Sequence, residues 1–202
     1  MRKADPARRE ARRRKILRAA TRCFERHGIR GASISQICGK AQISPGHLYH
    51  YFESKEAIIR AMADEALAAA TSHFSKQLKT SDALRIVEEI INYVGTHGSP
   101  GRILLFDMLA EAARDRGMAA LLHEHSARVR ELIRHLLSKG QARGEIDRGL
   151  DPQLAAAAVM SLMDGAQTLS IRNPDLDTQQ AVDVFKSAAT RLLKPPPAEA
   201  SP

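Results

Sequence analysis

Three serines set the first limit on this chain. Ser33, Ser44 and Ser54 each stand where a helix can begin, within the short span from Ser33 to Glu56. A hydroxyl at a helix start accepts a hydrogen bond from a first-turn backbone N–H. Gln36 completes a capping box with Ser33, Pro45 takes the favoured first helical position after Ser44, and Glu56 suits the positive first turn after Ser54. The spacing predicts a short helix to about Ala41, a turn at Gln42 and Ile43, a second helix from Pro45 to Tyr51, and a third from Ser54 onward. Helices of two turns do not hold alone in water and need bracing. The preceding segment supplies it: Ile16, Leu17, Ala20, Cys23 and Phe24 recur at helical spacing between Arg8 and His27, with Gly28 as the stop and Gly31 in the following turn.

Two short helices with a three-residue turn, braced by a longer helix in front, describe a helix-turn-helix. One helix crosses a nucleic-acid backbone while the next enters the major groove, so the second must carry small or polar residues near its start. Pro45, Gly46 and His47 satisfy that demand, and Leu48 faces inward. Tyr49 and His50 can reach phosphates or base edges, while Tyr51 and Phe52 close the small core. Backbone N–H groups at the helix starts, with Ser35 and Lys55 in first turns, are placed for phosphate contacts that position without reading sequence. The plainer reading stays open at each: Ser33, Ser44 and Ser54 as caps only, Lys55 and His47 as ordinary surface residues.

Charge agrees with a polyanion partner. Residues 1–60 hold fifteen Lys or Arg against five Asp or Glu, whereas the rest hold sixteen against eighteen, so a total of +8 divides into +10 and −2. That is a basic head on a nearly neutral body; a solubilising basic tail is the bland alternative. Aromatics make up 4% of the chain and tryptophan is absent, which favours helices over sheets. No run of eighteen apolar residues occurs, and the first thirty residues are too basic for a signal peptide, so no membrane association is expected. Cys23 and Cys38 have no metal-ligand spacing and read as buried thiols in a reducing cytoplasm. No metal site and no cofactor are expected.

Beyond residue 78 the pattern is helical throughout: about 82–97, 102–114, 118–142, 151–171 and 178–193, with a loop at Gly144–Gly149 and a break at Asn173–Pro174. The expected division is a DNA-binding domain over 8–54, a ligand-binding and dimerisation domain over 55–194, and flexible tails at 1–7 and 195–202. Leu154, Ala158, Ser161 and Leu162, with Val182, Phe185, Ala189 and Leu192, form two stripes that would pair with their symmetry mates in a four-helix bundle. Burial of both stripes within one chain is the alternative. Asn92, Glu111, His123 and Gln167 stand among the apolar Leu105, Met108, Leu109, Leu122 and Met163, and some of these could line a ligand pocket. Asp107, Arg128 and His97 are further polar residues there, each more at home in solvent than on a ligand. No glycine-rich phosphate loop, HExxH or nucleophile elbow occurs, so an enzyme is not expected.

From Ile16 to Ala66, ILRAATRCFERHGIRGASISQICGKAQISPGHLYHYFESKEAIIRAMADEA resembles the DNA-binding domain of the TetR family of transcriptional regulators. The order of a helix with Phe, then Gly, a hydroxyl-rich turn, Ile, Leu-Tyr-x-Tyr-Phe and Lys-Glu carries the resemblance. The body resembles that family's second domain by length, helicity and the phrase LLSKGQARGEID. The resemblance implies an all-α fold of about nine helices, with an N-terminal three-helix DNA-binding domain joined by a fourth helix to a C-terminal helical bundle. It implies Ser35, His47, Tyr49, His50 and Lys55 as DNA contacts. It also implies a homodimer on a palindromic double-stranded operator, most simply a repressor released by a small-molecule effector. Alternatives are a constitutive DNA-binding protein without effector, or a small helical enzyme; co-repression or activation would use the same parts. Two departures stand out: Gln42 occupies a turn position where the family commonly has glycine, and Gly39 lies inside a helix. They suggest a less rigid head, or a close backbone approach at residue 39.

Overall fold

The computed structural model describes residues 6–77, 82–96 and 100–195. Among them run nine helices and no strand: α1 (Pro6–Gly31), α2 (Ile34–Ala41), α3 (Pro45–Tyr49), α4 (Lys55–Gln77), α5 (Ala83–Thr96), α6 (Pro100–Ala112), α7 (Arg116–Arg143), α8 (Pro152–Arg172) and α9 (Thr178–Leu193). The expected caps are present, Ser33 with its full capping box, Ser44 and Ser54 each accepting from the backbone N–H three residues on, and Asp151 ahead of Pro152. Pro6 and Ala7 are already helical, while residues 1–5, His97 and residues 196–202 lie outside the described residues. Gly28 breaks α1 at φ 69, ψ 170, and one further helical turn follows it. The second short helix stops at Tyr49 rather than Tyr51, because the Tyr51 N–H turns back to Leu48 O at 2.8 Å.

The chain gathers into two compact units: residues 1–68 with 100–125, and residues 69–99 with 126–202. The first contains the expected head but also takes in α6 and the start of α7. Its core joins Ile16, Phe24, Ile37, Leu48, Ile58 and Ile59 to Leu104, Met108, Met118, Leu121 and Leu122. One long helix explains this: α1 packs against both α2 and α6, so its apolar stripe is wider than the short helices alone can cover.

The second unit packs α5, α8, α9 and the later part of α7 around Ile86, Ile91, Leu137, Ile146, Val159, Val182 and Leu193. Glycines, Gly95, Gly140 and Gly165 among them, permit its close approaches. A Cβ at Gly95 would meet Val182 Cγ2 at 2.5 Å, and one at Gly165 would meet the Phe185 ring at 2.8 Å. This arrangement corrects the expectation for α9. Val182 and Ala189 are fully buried in the chain's own core, and Phe185 packs against that core, so this stripe faces inward onto α5 and α8. Leu162 likewise packs inward. The large apolar residues that α9 leaves exposed are Val184 and Leu192, and on α8 they are Leu154 and Ile171. By length and composition α8 could cross a membrane, but it packs on α5 and α9 and carries Asp164 and Gln167; 28% of its most apolar stretch is buried within the chain.

Candidate nucleic-acid interface

The site is built around a turn and one short helix. Gln42 sits in the left-handed region at φ 54, ψ 52, as the turn position requires, and its N–H closes onto the end of α2. A non-glycine residue there costs about 1 kcal/mol. Ile43 N–H then bonds Cys38 O at 3.1 Å, which brings Ser44 into place to cap α3 through His47 N at 3.2 Å. Cys38 is buried beneath the turn, and burial pushes its thiol pKa up.

On α3 and its C-cap His50, Leu48 is fully buried while Pro45, Gly46, His47, Tyr49 and His50 are exposed, Tyr49 at 52%. No described residue lies within 4 Å of a Cβ placed on Gly46, so the start of this helix is sterically open among the described residues. The half-buried Tyr51 explains the crowding of aromatic residues here. Its ring contacts His47 at 5.6 Å between centroids and His50, edge to face, at 5.5 Å. One packed ring thereby orients two exposed imidazoles. Ser33 and Ser35 are exposed at the start of α2, and Ser44 is exposed at the start of α3. Gly39 is exposed, and no described residue comes within 4 Å of its Cβ position, so no contact among the described residues accounts for a glycine there.

Lys55 is tied into the chain itself. It is half-buried, and its ammonium donates to Ile29 O at 2.7 Å and Ala32 O at 3.3 Å. An ammonium has three donors, and two of these are occupied by the carbonyls at the end of α1. Lys55 therefore ties α4 to the corner between α1 and α2. The other face of the same peptide segment is held from α6. Ile29 N–H donates to Asp107 Oδ2 at 3.0 Å, and Arg30 pairs with Glu111 at 3.5 Å. Asp107 also lies 3.2 Å from a Cβ placed on Gly28. These contacts span more than seventy residues of sequence, and no local pattern announces them.

The residues considered for a ligand pocket divide between the units: Leu105, Met108, Leu109, Glu111, Leu122 and His123 belong to the first, and Asn92, Met163 and Gln167 to the second. Met108 and Leu122 are core residues, while Leu109 and His123 are exposed. Glu111 is engaged by Arg30, and Asn92 Oδ1 accepts from Gln179 at 3.1 Å. Gln167 is the one buried polar side chain among the described residues, at 7% exposure, and Met163 packs against the same core.

Comparison with known proteins decides the identity of this architecture. Residues 16–62 match the family model described as bacterial regulatory proteins, tetR family, and residues 84–194 match the C-terminal domain of BetI-type transcriptional repressors. The chain is 31% identical over 153 residues to the HTH-type transcriptional regulator UidR of Escherichia coli (strain K12), covering 75% of this chain and 77% of that protein. The chain belongs to the TetR family of transcriptional regulators. It is also 25% identical to the HTH-type transcriptional repressor SCO4008 of Streptomyces coelicolor, covering 91% of this chain and 96% of that one. The solved structure of Salmonella enterica GusR superposes with a TM-score of 0.78 at 26% identity, covering 96% of this chain and 99% of that chain. As a TetR-family regulator the protein acts by binding DNA rather than by catalysis.

Proposed function

We propose that this protein is a repressor that binds a two-half-site operator as a homodimer through α3 and is released by a small-molecule effector. One observation carries the reading: α3 presents an open face of Pro45, Gly46, His47, Tyr49 and His50 above a fully buried Leu48. That face has the size and polarity for base edges and phosphates in a major groove. Ser33, Ser35 and Ser44 flank it as backbone contacts, and Lys55 adds its remaining donor. A regulator of this kind works where the chromosome lies, in the cytoplasm. The likeness of residues 84–194 to BetI-type repressors supports repression as the direction.

A short helix reads few base pairs, so a two-fold pair of heads supplies the usual specificity. The exposed Leu154, Ala157 and Ser161 of α8, with Val184, Ala188 and Leu192 of α9, support this pair as the dimer surface. For the effector, the buried amide of Gln167, next in sequence to Ala166 of the second unit's core, offers a donor and an acceptor. Release requires only that the effector bind one conformer better than the other.

Titration of the purified protein against its own upstream intergenic duplex and an unrelated duplex tests the reading. Preferential binding upstream, at two or four chains per site, is the expected result. Equal binding to both, or an upstream preference left unchanged by Tyr49→Ala and His47→Ala, removes α3 as the reading element.

A further inference from the structure

The start of α1 carries a charge pattern that the recognition helix does not use. From Pro6 to Lys15 the chain has Arg8, Arg9, Arg12, Arg13, Arg14 and Lys15 against a single acid, Glu10. The sides of this helix differ. Arg13 bonds Glu65 of α4 at 2.6 Å and lies over the Phe52 ring at 5.6 Å, while Arg14 bonds Glu10 at 3.0 Å. Arg8, Arg12 and Lys15 follow one another at spacings of four and three residues, so they share a face. Arg8 and Arg12 are exposed, and neither has a carboxylate partner among the described residues. Lys15 reaches Gln42 Oε1 at 3.5 Å, and Gln42 is the left-handed residue of the turn that leads into α3.

We propose that Arg8, Arg12 and Lys15 form a second DNA-contact surface, which grips backbone phosphates beside the bases faced by α3. The stripe begins at the helix-turn-helix turn and extends about 10 Å along α1, the axial length of about three base pairs. Like charges at this spacing repel on an isolated helix, and among the described residues no acid on the shared face relieves them. A phosphate backbone does so, and each guanidinium matches a phosphate with paired N–H donors. Because phosphate contacts position a protein without reading sequence, the stripe adds affinity and salt dependence but no base preference. The inference rests on α3 as the DNA-reading helix, and its test is separable from that reading.

The test compares the full-length protein, Arg8→Ala/Arg12→Ala and Arg14→Ala on a random duplex of about 30 base pairs, long enough for a site and its flanks. Binding is followed between about 50 and 200 mM salt, and each variant's melting temperature confirms that it folds. The double variant should show a shallower slope of log K against log salt, by about 0.9 for each lost phosphate contact, or about 1.8 per bound chain. Arg14→Ala should keep the parental slope, and the double variant should keep the parental ratio of upstream to random binding. An unchanged slope in the double variant overturns the stripe. An equal change in Arg14→Ala also overturns it, leaving only a diffuse positive field. If the parental protein shows no upstream preference, the reading of α3 fails, while the slopes on random DNA still decide the stripe.

Discussion

The head and the α8–α9 pair place their apolar side chains in opposite ways. Among the described residues, nine large apolar side chains are exposed, and only Tyr49 of these lies in the helix-turn-helix segment. Five lie on α8, α9 or the turn between them: Leu154, Ile171, Leu176, Val184 and Leu192. The helices of the head, closed by α6 and the start of α7, therefore share one core and offer a polar, basic exterior, which suits a charged partner that remains hydrated. The α8–α9 pair covers one face and leaves another apolar, the pattern of a surface that a second protein chain completes. A single helical sequence thus carries two kinds of surface, distinguished by what each leaves uncovered.

The sharpest way to break this comparison is to remove one leucine from each region. Leu48→Ala empties a fully buried position and should cost about 2–5 kcal/mol of stability in a urea titration. Leu154→Ala, at a side chain that is 71% exposed, should change the stability of the chain itself by less than about 0.5 kcal/mol. It should instead weaken self-association in sedimentation runs. A large loss of monomer stability from Leu154→Ala, or no effect on association, removes α8 as a docking face.

Two glycines sharpen the same contrast. Gly95→Ala would place its Cβ 2.5 Å from Val182 Cγ2 inside the second unit, and it should cost about 1–3 kcal/mol through overpacking. Gly39→Ala meets open space in the head and should stabilise by up to about 1 kcal/mol. Thermal melts decide both signs. If Gly39→Ala melts higher yet loses DNA affinity, the glycine serves close approach of the duplex.

The bracket around Ile29 should show a smaller effect. Asp107→Ala removes the acceptor for the Ile29 N–H and should destabilise by about 1–2 kcal/mol, whereas Asp107→Asn keeps an acceptor and should lose less than half of that. Equal losses in the two variants would show that charge, not the hydrogen bond, holds the corner.

The smallest change separates the capping and binding roles of Ser44. Ser44→Ala should cost about 1 kcal/mol, while Ser44→Asp keeps the cap and its stability. The added negative charge on the DNA-facing side should still lower duplex affinity. If Ser44→Asp binds DNA as well as the parent, residue 44 lies away from the phosphates.

Much of the first unit was legible in the residues because its signals are local. Ser33 with Gln36, Ser44 with Pro45, and Gln42 between them each act within four residues, so cap and turn chemistry names the helices directly. The exposed set on α3 follows from one helical period around Leu48. The α9 stripe was not legible in the same way. Val182, Phe185 and Ala189 share a face with any apolar partner, and the pattern alone does not say whether that partner is α5 or a second chain.

Sequence by itself determined where helices start and stop, where charge gathers, and which short helix presents polar residues, since these depend on neighbours along the chain. Tertiary structure alone decided that α6 braces α1, that Lys55 and Asp107 hold the two sides of Ile29, and that Val184 rather than Val182 faces outward on α9. The physical reason is range. A cap or a turn is satisfied within one helical turn, whereas the Ile29–Asp107 bond joins residues 78 apart. Which apolar face is buried likewise depends on the shape of a distant surface, here the gap that Gly95 leaves for Val182.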